Sequence, residues 1–129
     1  MISIKRIHHI AIICSDYERS KQFYTAVLGL TLLNEIYRAE RDSWKADLGI
    51  GSDYRIELFS FPNPPQRPSY PEALGLRHLA FCVDDVEAEV AKLQAAGIVV
   101  EPIRIDAHTG KKCAFFPDPD GLPIELYEA

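Results

Sequence analysis

Four residues stand out by type and spacing. His9 opens the run His9-Ile-Ala-Ile-Ile-Cys-Ser-Asp16, and His78 opens His78-Leu-Ala-Phe-Cys-Val-Asp-Asp85. Each half then closes on the tripeptide Ile-Glu-Leu, which places Glu57 in the first half and Glu125 in the second. His9 and His78 are 69 residues apart, Glu57 and Glu125 are 68 apart, and the chain therefore reads as two copies of one unit. Each copy supplies one imidazole and one carboxylate. Two His nitrogens and two Glu oxygens form a borderline-to-hard ligand set suited to one divalent ion per site, Zn²⁺, Ni²⁺, Co²⁺, Mn²⁺ or Fe²⁺, among which affinity order does not choose. On a six-coordinate ion, four protein ligands leave two adjacent positions for a small substrate with neighbouring oxygens. Such chelation polarises a carbonyl and favours loss of the adjacent proton, with Glu57 or Glu125 as the base.

The elements that must position these residues follow the same repeat. Each half has the order strand, helix, then three strands. Ile7 to Cys14 and Leu76 to Val83 are apolar and rich in β-branched residues, and each ends at a Ser/Asp cluster suited to capping a helix. Ser15-Asp-Tyr-Glu18 fits a capping box. Ser20, Phe23, Tyr24, Val27 and Leu28 recur at helical spacing up to Gly29, as do Val86, Val90, Leu93 and Ala96 up to Gly97. The remaining strands are expected at Thr31 to Ala39, Trp44 to Ile50 and Tyr54 to Phe61, and at Ile98 to Ile105, Lys112 to Phe116 and Pro123 to Tyr127. Gly49 to Asp53 and Asp118-Pro-Asp-Gly121 read as hairpin turns. The organisation is one domain over 1–129, with a first module at about 4–62, a Pro-rich linker at 62–71 and a second module at about 74–129.

Alternation along a strand selects the faces. His9 shares a face with Ala11 and Ile13, opposite Ile10, Ile12 and Cys14, and His78 goes with Ala80 and Cys82, opposite Leu79, Phe81 and Val83. Glu57 goes with Arg55, Phe59 and Phe61, and Glu125 with Tyr127. A lone strand His is more often structural than a ligand, and a lone strand Glu is commonly solvated. The duplicated set changes the balance, because a carboxylate among aromatic rings needs a cation or hydrogen bonds to offset its desolvation. His8 is set aside for His9, since adjacent strand residues point to opposite faces and the repeat aligns His8 with Arg77. His108, Lys111 and Lys112 read as a solvated hairpin tip. Trp44 fits either the core or a cavity wall.

Composition narrows the partners. A chain of 129 residues with 47% hydrophobic content buries a core without disulfides. Three cysteines with no C-x-x-C pair indicate neither a disulfide framework nor a thiolate zinc site, and Cys14 and Cys82 read as core residues of matching strands. A net charge of −5 opposes binding to nucleic acid or anionic membranes, so a small-molecule partner is expected. With no secretory signal and no apolar run of membrane-spanning length, a cytoplasmic location is expected.

Taken together, His9 with Asp16, the Phe23-Tyr24 to Leu28-Gly29 helix end, Glu57, His78 and the Asp118-Pro-Asp-Gly121 to Glu125 ending resemble the vicinal oxygen chelate superfamily, and glyoxalase I within it. Arg41-Asp-Ser-Trp-Lys45 and Glu57-Leu-Phe-Ser-Phe-Pro62 resemble the small bacterial glyoxalase-like proteins of the YaeR type. The resemblance implies an α+β fold of two βαβββ modules whose curved mixed sheets form a half-open barrel around a divalent ion. It implies a homodimer whose site can combine modules of two chains, metal ligation by His9, Glu57, His78 and Glu125, and Glu125 as the catalytic base with Glu57 as its partner. The activity implied is that of a metal-dependent lyase or isomerase. Glyoxalase I generally has Arg four residues after the first ligand and Asn four after the first Glu, both meeting glutathione. Here these are Ile13 and Phe61, which argues against the ordinary glutathione hemithioacetal as substrate. Two other readings of the same fold are a metal-dependent oxygenase and a metal-free small-molecule-binding or resistance module.

Overall fold

The computed structural model describes residues 1–129, which divide into two compact units, Met1–Pro65 and Gln66–Ala129. In the first unit the elements are β1 (Ile10–Cys14), α1 (Tyr17–Gln22), β2 (Thr31–Arg38), β3 (Ser43–Ile50) and β4 (Asp53–Ser60). The second holds β5 (Leu79–Val83), α2 (Val86–Ala95), β6 (Arg104–Ile105), β7 (Lys112–Pro117) and β8 (Pro123–Glu128). Each unit is a βαβββ arrangement around one four-stranded mixed sheet, with orders β1-β4-β3-β2 and β5-β8-β7-β6. The first strand pairs in parallel with the last, and the other pairings are antiparallel. The fold is α+β.

Alternation sorts the side chains as the sequence predicts. In the first unit Ile12, Cys14, Ala46, Leu48, Ile56 and Leu58 are buried on one face, together with Tyr17, Phe23 and Tyr24 of the helical segment. Trp44 belongs to this side: its indole stacks on the Tyr17 ring at 5.4 Å. In the second unit Ala114, Phe116, Ile124 and Leu126 are buried, as are Val86, Val90 and Leu93 of α2. The opposite face of each sheet, which carries His and Glu, is more open.

Local chemistry explains the helix ends. Asp16 caps α1 by accepting from Arg19 N at 3.1 Å, and Asp85 caps α2 by accepting from Ala88 N at 3.0 Å. The cap of α1 thus falls one residue after the Ser15 expected to start a capping box. After Gln22 the chain continues as a π-helical turn, Phe23–Val27, in which Leu28 N donates to Phe23 O at 3.0 Å. This wider turn accommodates two consecutive buried aromatics, with the Phe23 and Tyr24 rings edge to face at 5.2 Å. Gly29 and Gly97 end the helical segments at φ 79° and 83°, in the left-handed region where a side chain is strained.

Other expectations need correction as well. The strand expected over Ile98 to Ile105 shrinks to Arg104–Ile105, because Pro102 has no N–H for a ladder and only Glu101 N bonds across, to Phe115 O at 2.9 Å. Cys82 is exposed on the open face beside Ala80, so only Cys14 of the matched pair is a core residue. The first strand of each unit begins at Ile10 and at Leu79, so His9 and His78 stand one residue ahead of the ladders. No helix is long and apolar enough to cross a membrane.

Candidate metal centre

Parallel pairing brings each His to its own Glu. Ala11 lies opposite Glu57, and Ala80 lies opposite Glu125, so a small side chain faces each carboxylate and leaves room for the imidazole two residues earlier. His9 Nε2 is 3.3 Å from Glu57 Oε1, and His78 Nε2 is 3.0 Å from Glu125 Oε2. Both carboxylates are well covered, with 13% and 12% of their side-chain surface exposed. Each unit thus brings one predicted His–Glu pair together, while no group of three or more His, Cys, Asp or Glu residues in the chain is placed to hold a metal ion.

The donor chemistry of each pair fits a cation. Two ligands about 2.1 Å from one ion lie about 3.0 Å apart at a right angle and about 3.4 Å apart at the tetrahedral angle. The N to O separations of 3.3 and 3.0 Å match this edge. The same separations serve a hydrogen bond when Nε2 carries the proton, so the tautomer decides which role each ring plays.

The two pairs have different surroundings. His8 and His9 do not diverge as adjacent strand residues would, because both precede β1, and their Nδ1 atoms lie 2.8 Å apart. With its proton on Nδ1, His9 donates to His8 and keeps the Nε2 lone pair facing Glu57. The His78 Nδ1 instead lies 3.4 Å from Arg77 Nη1, and a guanidinium only donates. A neutral His78 so held carries its proton on Nε2 and donates to Glu125.

Glu57 is tethered by residues that the sequence reading did not assign. Its Oε2 accepts from the Tyr54 hydroxyl and lies 3.2 Å from Lys45 Nζ. Lys45 Nζ also lies 3.3 Å from Asp47 Oδ1, to which the Tyr54 hydroxyl is 3.2 Å away. Burial pushes the Glu57 carboxyl up, but the hydrogen bonds from Tyr54 and Lys45, with the charges of Lys45 and His9, outweigh it and hold the group below the usual range. Lys45 sets one positive charge against the two carboxylates of Glu57 and Asp47. The alternation Lys45-Ala-Asp-Leu48 was the available signal, since it puts Lys45 and Asp47 on the face of Glu57. Tyr54 had none, because the register shift between Leu48 and Gly49 brings a residue of the other parity to the site.

Glu125 has a less polar setting. Its register partner is Phe115, whose ring meets that of His78 edge to face at 5.2 Å, and the Cys113 thiol is a further partner. Tyr127, expected beside Glu125, turns its hydroxyl to Asp106 Oδ2 at 3.0 Å and to Thr109 Oγ1 at 2.5 Å. A cleft of about 250 Å³ in the second unit is lined by His78, Arg77, Arg104, Phe115 and Tyr70. His108 lies in the exposed turn between β6 and β7 and takes no part.

Two βαβββ units, each with a His–Glu pair on its open face, define a class, and the sequence comparison agrees: residues 6–126 match the model of the Glyoxalase/Bleomycin resistance protein/Dioxygenase superfamily, to which the chain belongs. It is 59% identical to the uncharacterized protein YaeR of Escherichia coli (strain K12), over 99% of both chains. It is 32% identical to a probable lactoylglutathione lyase of Vibrio cholerae, over 98% of this chain and 93% of that one. The crystal structure of the glyoxalase family protein from Enterococcus faecalis is similar with a TM-score of 0.89 and 52% identity, covering 96% of this chain and 98% of that one.

Proposed function

We propose that this protein is a divalent-metal-dependent, glyoxalase I-like lyase or isomerase that removes a proton alpha to a carbonyl of a small chelating substrate. The observation that carries the reading is the pair of His–Glu contacts, at 3.3 and 3.0 Å, repeated at equivalent places in two units of one topology. One unit offers two donors, so a full ligand set of His9, Glu57, His78 and Glu125 takes one unit of each kind, from one chain or from the two chains of a homodimer. A divalent ion, when bound, polarises the substrate carbonyl and steadies the negative charge that grows on its oxygen. Glu57, held through Oε2 by Tyr54 and Lys45, keeps its Oε1 turned to His9 and serves as a fixed ligand. Glu125 lacks such tethers, and its partners are His78 and the Cys113 thiol. It is the carboxylate free to swing, to take the substrate proton on Oε2 and to return it to the neighbouring carbon.

The test is elemental analysis of protein purified without added metal, followed by solvent deuterium incorporation into small α-hydroxycarbonyl compounds. About one ion per pair of units is expected, with loss of the ion in His9→Ala and His78→Ala. Glu125→Gln should abolish exchange. Metal-free protein that stays metal-free on titration, or full exchange in Glu125→Gln, would refute the reading.

A further inference from the structure

Arg38, the last residue of β2, meets a serine and two aromatic rings on the open face rather than a carboxylate. Arg55, Arg77 and Arg104 lie 2.5, 3.8 and 3.6 Å from Asp53, Glu72 and Glu101. Arg38 instead donates from Nη2 to Ser43 Oγ at 2.9 Å, and Ser43 is fully buried. Its Nε is buried with no hydrogen-bond partner. The guanidinium lies over the Phe59 ring at 4.8 Å and the Phe61 ring at 5.6 Å, and these two rings stack on each other at 5.8 Å. Arg41 also lies over the Phe61 ring, at 5.7 Å. A half-buried guanidinium fixed by two rings and a serine, with N–H groups to spare, has already met most of the entropic and desolvation cost of binding an anion.

Position makes the placement specific. Phe59 follows Glu57 by two residues on β4 and therefore stands on the same face, about 7 Å along the strand. We infer that Arg38, seated on Phe59 and Phe61, is the anion anchor of the substrate site, and that the substrate is a small compound with its chelating oxygens at one end and a carboxylate or phosphate at the other. The assignment rests on the reading of His9 and Glu57 as the chelating end. It narrows the substrate from any small chelator to an anionic one, and the planar guanidinium fork, rather than Lys45, is what meets the anionic group. Lys45 is engaged with Glu57 and Asp47.

The experiment measures anion binding apart from metal binding. Chelator-stripped protein is titrated with inorganic phosphate and, separately, with malonate, while the Arg38 side-chain Nε–H is followed by nuclear magnetic resonance. The expected result is a saturable shift of that signal at about millimolar anion. Stronger binding of phosphate points to a phosphate ester, and stronger binding of malonate points to an oxo acid. By calorimetry Arg38→Gln should weaken binding about tenfold or more, Arg38→Lys should fall between, and Arg19→Gln, on the exposed end of α1, should match wild type. The signal in the unsubstituted protein covers the case in which Arg38→Gln does not fold. If neither anion moves it, or if Arg38→Gln binds as wild type does, the anchor is overturned. An anion shift in protein that takes up no metal would keep the anchor and overturn the chelating reading, and metal uptake with no anion shift would do the reverse.

Discussion

Removing the partner of each histidine's second nitrogen should change metal affinity in opposite directions. His8 sits 2.8 Å from His9 Nδ1 and can accept its proton, which favours the tautomer that ligates through Nε2. Loss of such a partner typically costs 10- to 100-fold in affinity, and the exposure of His8 puts His8→Ala near the low end, about tenfold or about 1.4 kcal/mol. Arg77 does the contrary. Its Nη1 is 3.4 Å from His78 Nδ1, so it favours the tautomer whose Nε2 is occupied by a proton, and its charge would stand about 7 Å from an ion on that ring. Repulsion between unit and double charges at that distance is about 1.2 kcal/mol in water and about half that after screening by salt. Arg77→Ala should therefore bind about threefold more tightly. Competition for Co²⁺ against a chromophoric chelator at neutral pH reads both effects. If both substitutions weaken binding, or neither changes it, the tautomer argument is wrong.

Other predictions concern the scaffold. The Glu35 carboxyl is held below its usual range by the hydrogen bond from Lys21 and then by that from Tyr17, at 2.7 and 2.5 Å, against the effect of burial. A depressed folded-state value gives stability that is present above the unfolded carboxylate pKa of about 4.3 and lost as pH falls through the folded one. Glu35→Gln should thus lower the melting temperature at neutral pH, with the gap closing in acid; a gap independent of pH would contradict it. Leu58, fully buried, should cost about 2 to 5 kcal/mol as Leu58→Ala in urea unfolding, and a loss below about 1 would show that the site collapses freely. Asp85→Ala removes the cap of α2 and should cost about 1 kcal/mol by the same measurement, a neutral result meaning that water replaces the carboxylate.

Much of this architecture was legible because strands have period two and the repeat supplied each pattern twice. Ile12, Cys14, Ile56 and Leu58 fall on one face and Glu57, Phe59 and Phe61 on the other, as alternation requires. Reading stopped where geometry departs from the regular period. Tyr54 reaches Glu57 only through the register shift at Leu48 and Gly49. His8 meets His9 because the ladder begins one residue later than the apolar pattern suggests. Arg38 belongs to no motif of the sequence, and it is β4 that brings Phe59 and Phe61 beneath it. Cys82 matches Cys14 in residue type but shares its parity with His78, which sets it on the open side.

The parallel pairings of β1 with β4 and of β5 with β8 also govern when each His–Glu pair can exist during folding. Both partners sit at opposite ends of their unit, so about fifty residues of intervening chain must be ordered before an imidazole meets its carboxylate. Local hairpins such as β3–β4 close sooner, because little chain entropy is lost in joining neighbours. The pairs are therefore late-forming contacts. Nascent or damaged chains would lack them, and cation capture by the proposed four-ligand set would report that both kinds of unit have finished folding.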